Sequence, residues 1–451
     1  DAVLAQPSIT ALMEEYGRER VLSAVRGVLD EIRRSVLAGE ETEIPDEAGA
    51  ADAVGRKLEA LAGPFHYRVV NATGIILNTS LGRAPLAPSV VRHICEGLSG
   101  YCRLAAHPVT GKRFDRDILT GRLLAEVFGV EAATFVNNNA AATYLVLTAL
   151  VKGKEVIISR GQLVEIGGKF RIPDVLEASG AKLVEVGTTN RTHLKDYRNA
   201  ITENTGAIMR VHTSNYRIKG FSSMPPIEEM AELAREFGVL CIDDIGSGQA
   251  VPFSPKGLPE DYPISRSVAA GADVVCFSGD KLFGGVQAGI ILGKRVTIEK
   301  IRVHPLARAF RVDKATCLGL EATARLYLNP ERAWKEVPVL RMLTIPEDEL
   351  KARAERLHSM LDARFSPRVA PDKTYTGGGS LPDIELPTWT VRLRCPECGA
   401  EGLARALRMG RPPVYCRVEN EEAVLDVRTL LEGDEERLAE ALSRLDPATL
   451  A

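Results

Sequence analysis

The chain of 451 residues contains no apolar run near the roughly 18 residues of a membrane span. It has almost no net charge: 57 Lys and Arg against 60 Asp and Glu leave −3. No global basic field therefore draws it to nucleic acid. No basic-then-apolar leader opens it; Asp1, Glu14 and Glu15 stand there instead, so a cytoplasmic protein is expected. The initiator Met is missing as well, and a trimmed start is expected. Neither an internal repeat nor a long low-complexity tract is present. Cysteine is sparse, eight in all, and reads as reduced thiols in a chain this long. Cys395-Pro-Glu-Cys398 has zinc-knuckle spacing, but no second pair follows and Cys416 stands alone. Closed structural zinc takes four ligands, so an incidental pair and no metal are expected.

The length is about three times the ~150-residue domain prior, which implies two or three domains. Three blocks are visible. Residues 1–64 hold one helical segment, Ser8–Leu37, then an acidic, Ala-rich patch; seven basic against thirteen acidic residues give −6. Residues 65–325 alternate short apolar runs ("AATFV", "KEVIIS", "AKLVEVG", "GAIMRVH", "VLCIDDI", "DVVCFS", "AGIILG") with amphipathic stretches. That alternation implies an α/β fold, a mostly parallel sheet covered on both faces. Residues 326–451 read as a smaller α+β domain that includes the charged helix "EDELKARAERLHSMLDARF".

Chemistry gathers in the central block. In "ADVVCFSGDKLFGGVQAGIILGK" a glycine-bounded turn carries Lys281 between two buried-type strands. Lysine is seldom buried unless paired or used, so the turn is either a solvated surface loop or the mount of a nucleophilic amine. "FVNNNAAATYLV" places Asn137, Asn138 and Asn139 between a strand and a helix. One asparagine suffices as a cap; free N–H groups at such a helix start also hold anions. "VLCIDDIGSG" ends a strand on Asp243-Asp244, where open α/β sheets bind ligands, and side-chain alternation lets only one of the two face a given side.

The order of an Asn-capped helix, an Asp at a strand end and a Ser-x-x-Lys turn resembles the fold-type I pyridoxal-phosphate enzymes. Longer stretches narrow the resemblance: "NATGIILNTSLGRAPL", "SRGQLVEIGGKFRIPDV", "VHTSNYRIKGF", "DIGSG", "FSGDKLFGGVQAGIILG", "HPLARAFRVDK" and "TGGGSLPDIELP", with "QPSITALM" near the start. In order and over nearly the whole chain they resemble bacterial selenocysteine synthase, the L-seryl-tRNA(Sec) selenium transferase family. Asn78 stands where the family has His, and Ser80 where it has Asn. The Cys-x-x-Cys is not a family feature.

The resemblance implies pyridoxal 5'-phosphate as cofactor and roles for individual residues. Lys281 matches the Schiff-base lysine and Asp244 the partner of the pyridine nitrogen. Asn138, Asn139, Ala140 and Ser278 match the phosphate-binding positions, and Asn215 a contact near the ring hydroxyl. Asp280 matches a catalytic acid. Arg83, Arg308 and Arg311 match a cluster for the selenium donor, selenophosphate. Arg308 and Arg311 are three apart and share a helical face, a fork for an anion or else a solvated basic face. The resemblance also implies seryl-tRNA(Sec) as substrate, an N-terminal domain that reads it, and a homodecamer of five dimers. The acidic charge of residues 1–64 leaves Arg18, Arg20, Arg26, Arg33 and Arg34 as the local RNA-facing candidates. Two other readings stay open: a related lyase acting on a free small amino acid or amino sugar, and an inactive tRNA-binding scaffold.

Overall fold

A computed structural model describes residues 2–39, 44–168 and 170–446; Lys169, inside one of the quoted motifs, lies outside them. The chain divides into two compact units, Asp1–Arg68 and Val69–Ala451.

The first unit holds helices α1 (Pro7–Tyr16), α2 (Arg18–Ala38) and α3 (Glu47–Ala62). The helical segment Ser8–Leu37, weakened by Gly17 and Gly27 and so open to a break into two helices, breaks at Gly17 and runs on through Gly27. Gly17 sits at φ +81°, outside helical space and readily reached only by glycine, and it ends α1 and starts α2. The Ala-rich acidic stretch is itself a helix, α3; the Asp46 carboxylate accepts from Gly49 N at 2.7 Å and caps it. Ile9, Val21, Val25, Val28, Val54 and Leu58 form the unit's small core. Each such side chain contributes about 1.5–3 kcal/mol when fully buried.

The second unit is built on a seven-stranded sheet. Its strands are β1 (Ala132–Val136), β2 (Glu155–Ser159), β3 (Lys182–Val186), β4 (Thr205–Val211), β5 (Leu240–Gly246), β6 (Val274–Ser278) and β7 (Gly289–Gly293). They lie in the order β1-β7-β6-β5-β4-β2-β3. Only β7 runs antiparallel to its neighbours. Both faces are covered, which is why the strands read as continuous apolar runs. Alternation sends Val275 and Phe277 into one core cluster and Val274 and Cys276 into the other. The carboxyl ends of β1, β2, β4, β5 and β6 share one edge, where open α/β sheets bind ligands.

A second sheet of five strands has the order Val70–Ala72, Val414–Glu419, Glu422–Asp426, Glu385–Leu393, Arg368–Tyr375. Its first strand is parallel to its neighbour and comes from the other end of the chain. Among the described residues no helix is long and apolar enough to cross a membrane.

Candidate active site

The lysine turn is rigid. Gly285 N donates to Gly279 O (2.8 Å), Gly279 N to Ala288 O (2.8 Å) and Leu282 N to Ser247 O (3.0 Å). These bonds tie the turn to itself and to the loop after β5, and Lys281 ends buried. Burial and then Arg83 push its ammonium below the usual lysine range, while Asp280, Asp244 and Asp261 act the other way.

Arg83 reaches this turn from a strained position. Its backbone is left-handed (φ +62°), which costs about 1–2 kcal/mol for a residue with a Cβ. The Asn78 side chain accepts from Ser80 N (3.1 Å) and its carbonyl accepts from Arg83 N (2.9 Å), so this turn fixes the arginine. The Arg83 guanidinium then donates to Asp280 Oδ2 at 2.6 Å, while Ala84 N donates to Asp280 O at 3.3 Å.

The two adjacent aspartates at the end of β5 divide as alternation requires. Asp243 is buried on the side of Arg210, which donates to both its oxygens at 2.8 and 2.6 Å. Asp244 faces helix α4 (Asn139–Val151), where Asn139 Nδ2 donates at 2.8 Å and Thr143 Oγ1 at 2.7 Å. Burial raises the Asp244 carboxyl above the usual range, although Thr143, Asn139 and Lys281 all oppose it.

At the start of α4, Asn138 caps: its Oδ1 accepts from Ala141 N at 2.8 Å. The N–H groups of Asn139 and Ala140 precede the first intrahelical bond and stay available to an anion. The Oδ1 of Asn139 is buried without a hydrogen-bond partner. Gly289, which opens β7, lets the strand approach; a Cβ there would lie 2.2 Å from Asn138 O. Ser278, buried at the end of β6, pairs with Gly289 across the sheet. A group with an anionic end and a protonated ring nitrogen fits this set. It would meet donors at the helix start and a buried carboxylate that lacks a cation.

Arg308 lies in the short helix α5 (Pro305–Ala309) and Arg311 just beyond it, with Arg311 N donating to Arg308 O at 3.4 Å. Phe310 O accepts from Asn137 N at 3.0 Å, which sets Arg311 beside the start of α4. Neither arginine has a carboxylate partner among the described residues. Arg116 first, then burial, Arg308 and Arg113, press the Arg311 guanidinium below its usual range, as expected of clustered like charges. No hydrogen bond joins this cluster to Arg83. Asn215 stands apart: it is exposed and its amide donates to Glu165 O at 2.8 Å, while its neighbour Ser214 is buried.

Residues 69–431 match the family described as L-seryl-tRNA selenium transferase, and residues 1–33 match the family described as selenocysteine synthase N terminal. The chain belongs to the L-seryl-tRNA selenium transferase family. It is similar to the L-seryl-tRNA(Sec) selenium transferase of Hyphomonas neptunium, 43% identical over 449 residues, covering 99% of this chain and 97% of the relative. It is likewise 42% identical to that of Aquifex aeolicus over 446 residues, 97% of this chain and 98% of the relative. Among solved structures, D-glucosaminate-6-phosphate ammonia-lyase superposes with a TM-score of 0.58 at 22% identity, over 85% of this chain and 96% of that one. At that identity the likeness speaks for the fold, that of fold-type I pyridoxal-phosphate enzymes, and for nothing finer.

Sequence reasoning missed three residues that the fold of this family member brings in. Thr143 lies one turn after Asn139 and holds the second oxygen of Asp244; the i, i+4 spacing is a signal that was there to find. His212, after β4, and Asp261 meet at 3.2 Å although they are far apart in sequence, and no local pattern announces that pair.

Proposed function

We propose that the chain converts L-seryl-tRNA(Sec) to selenocysteinyl-tRNA(Sec), replacing the seryl hydroxyl with selenium from selenophosphate. The observation that carries the reading is a buried Lys281 between the Arg83–Asp280 pair and Asp244, in a chain related to such enzymes along almost its whole length. The cofactor is pyridoxal 5'-phosphate. When bound, it supplies an electron sink for charge that develops at the seryl α-carbon.

The chain's residues do the rest. The N–H groups of Asn139 and Ala140, with Asn138 shaping the helix start and Ser278 adding a hydroxyl, hold the phosphate. Asp244 would accept from the ring nitrogen and favour its protonated form, and the cation would in turn compensate the buried carboxylate. Lys281 would carry the cofactor and is placed to move the proton at the α-carbon; a desolvated amine reaches its neutral form more readily than an exposed one. Asp280, oriented by Arg83, is assigned to the proton that the departing hydroxyl takes. Arg83, Arg308 and Arg311 receive the selenophosphate, whose charge offsets the repulsion within the arginine group. Asn215 is retained as a contact near the ring hydroxyl, which requires its segment to turn inward.

Residues 1–64 are the tRNA-reading domain in this reading, 65–325 the catalytic domain and 326–451 the C-terminal domain. Arg33 is engaged with Asp30 at 3.1 Å and Arg34 donates to Asp30 O at 3.3 Å, which leaves Arg18, Arg20 and Arg26 as the freer cations. The assembly is a ring of five dimers, and the compartment is the cytoplasm. The test is incubation with seryl-tRNA(Sec) and selenophosphate, followed by hydrolysis and mass analysis. Selenocysteine from the charged tRNA, and none from free serine, is expected. Turnover of free serine alone would overturn the reading.

A further inference from the structure

His212 and Asp261 are both buried, and Nε2 and Oδ1 lie 3.2 Å apart. The other ring nitrogen, Nδ1, is 2.8 Å from Ile245 O, a group that can only accept. Nδ1 therefore carries a proton, and Nε2 faces a carboxylate. Burial raises the Asp261 carboxyl, but its pairing with His212 and the N–H of Leu381 outweigh this and leave it below the usual range. The two buried side chains thus meet edge to edge, with the imidazole anchored to Ile245 O and the carboxylate to Leu381 N.

The pair holds the active centre from behind. The His212 backbone N donates to Asp244 O at 2.9 Å, so one residue grips both Asp244 and Ile245 through their carbonyls. Asp261 N donates to Gln249 Oε1 at 2.7 Å, which fixes the carboxylate beside the loop whose Ser247 O receives Leu282 N, next to Lys281. Tyr262 packs its ring 4.1 Å from that of His212, with Arg210 4.7 Å from the Tyr262 ring. Tyr262 holds φ +67°, and strain of this kind persists only where the surroundings enforce it.

We propose that His212 and Asp261 are a positioning pair for the reaction, locking the Asp244 strand end to the lysine turn and presenting a fixed negative charge to Lys281 opposite Arg83. This rests on the functional reading above. The charges that act on Lys281 are those of Arg83, Asp280, Asp244 and Asp261; the groups that face His212 are Asp261, Tyr262 and, through Tyr262, Arg210, itself bonded to Asp243.

The test uses the holoenzyme and the pH midpoint of the visible absorbance of its lysine-bound cofactor. Removing a negative charge from the surroundings of that nitrogen disfavours its protonated form. Asp261→Asn is thus expected to move the midpoint to lower pH by about 0.5 unit or more. His212→Gln has one amide nitrogen for two partners, Ile245 O and Asp261, so it loosens the hold on the Asp244 strand end, and the dissociation constant for pyridoxal phosphate is expected to rise several-fold. Asp261→Glu, which restores the charge, is expected to bring the midpoint back. If Asp261→Asn does not fold, His212→Gln carries the test through that dissociation constant, and a parental value would overturn the proposal. A lower melting temperature with an unmoved midpoint would reduce the pair to a fold element and overturn the proposal. A wild-type protein with no such absorbance would instead sink the functional reading.

Discussion

Replacing Asp244 by asparagine tests the cofactor site and its neighbour together. Asparagine has the same shape and can keep the local bonds. Its Oδ1 accepts from Asn139 Nδ2, as Asp244 Oδ1 does at 2.8 Å. Thr143 Oγ1, which also lies 3.0 Å from Asn139 O, can donate there and accept from the new amide. No polar atom of the new side chain is left without a partner. The sign of the stability change follows from the raised carboxyl. A carboxyl whose folded pKa lies above its unfolded value binds protons more tightly in the native state. Stability therefore falls as pH rises from the ordinary carboxylate range, about 3.9, through the folded pKa, and stays reduced above it. Each unit of that elevation is about 1.4 kcal/mol. Cofactor-free Asp244→Asn is then expected to melt no lower than the parent at pH 7, and higher if its packing is undisturbed. Cofactor binding moves the opposite way, since a charge-assisted hydrogen bond worth about 1.5–3 kcal/mol is lost, roughly a 10- to 150-fold weaker Kd. Asp243→Asn is the contrast: it breaks a buried pair with Arg210 and is expected to cost about 3–5 kcal/mol of stability. Thermal melts of both cofactor-free variants and absorbance titrations with pyridoxal phosphate measure the two quantities. If Asp244→Asn bound the cofactor at parental affinity, or Asp243→Asn gave the affinity loss without the melting loss, the division of labour between the two aspartates would be refuted.

Lys281→Ala is expected to abolish both the lysine-bound absorbance and turnover while leaving the circular dichroism spectrum intact; persistence of the band would point to Lys219 or Lys294 instead. Arg308→Ala and Arg311→Ala are expected to slow selenium incorporation more than loss of the seryl hydroxyl, as followed by mass analysis of the charged tRNA. An equal fall in both would assign the cluster to the fold or the cofactor. Alkylation at pH 8 is expected to label exposed Cys95 well before Cys398, whose thiol is pushed up by burial and by its neighbour Cys395 and so offers less thiolate. Peptide mapping reads this directly, and equal rates would contradict the raised thiol at Cys398. Deleting residues 1–64 is expected to leave cofactor absorbance intact and to weaken seryl-tRNA(Sec) binding, most visibly at low salt, where phosphate contacts weigh most. Undiminished binding would move recognition to the rest of the chain.

What the sequence made legible was local in origin. The seven strands of the large sheet lie where apolar runs end in turn residues, because a strand buried on both faces must be apolar throughout. Asn138 and Lys281 were legible for the same reason: a cap stands next to its helix and a turn next to its strands. The break at Gly17 was signalled by composition alone, and the helix Glu47–Ala62 was hidden by its charge, since alanine and acidic residues suit a helix surface as well as a loop. The first strand of the five-stranded sheet and its partner, Val70–Ala72 and Val414–Glu419, are more than 300 residues apart, and nothing in either segment names the other.

The choice between Asp243 and Asp244 shows how the two kinds of information combine. Alternation requires that they face opposite sides, but it cannot say which side holds a ligand. That depends on what β4 and α4 bring to each. Arg210 occupies one face with both its donors, and a carboxylate so engaged has no capacity for a second cation. On the other face stand two neutral donors, Asn139 and Thr143, which orient Asp244 without neutralising it. A buried carboxylate held by neutral donors is destabilised in its charged form, and binding a cation relieves that cost. The same reasoning sets Lys281 apart from the other lysines of its motifs. Lys294 is half-exposed and bound to Asp273 at 2.6 Å, and Lys219 is exposed and 3.3 Å from Asp383. Both amines are solvated and compensated, so neither gains by bonding to a carbonyl group. Lys281 is buried with no ion-pair partner of its own among the described residues, because Arg83 already engages the carboxylate beside it. An amine left in that state loses its proton more readily than an exposed lysine and is nucleophilic once neutral, which is what bonding to a cofactor's aldehyde would require.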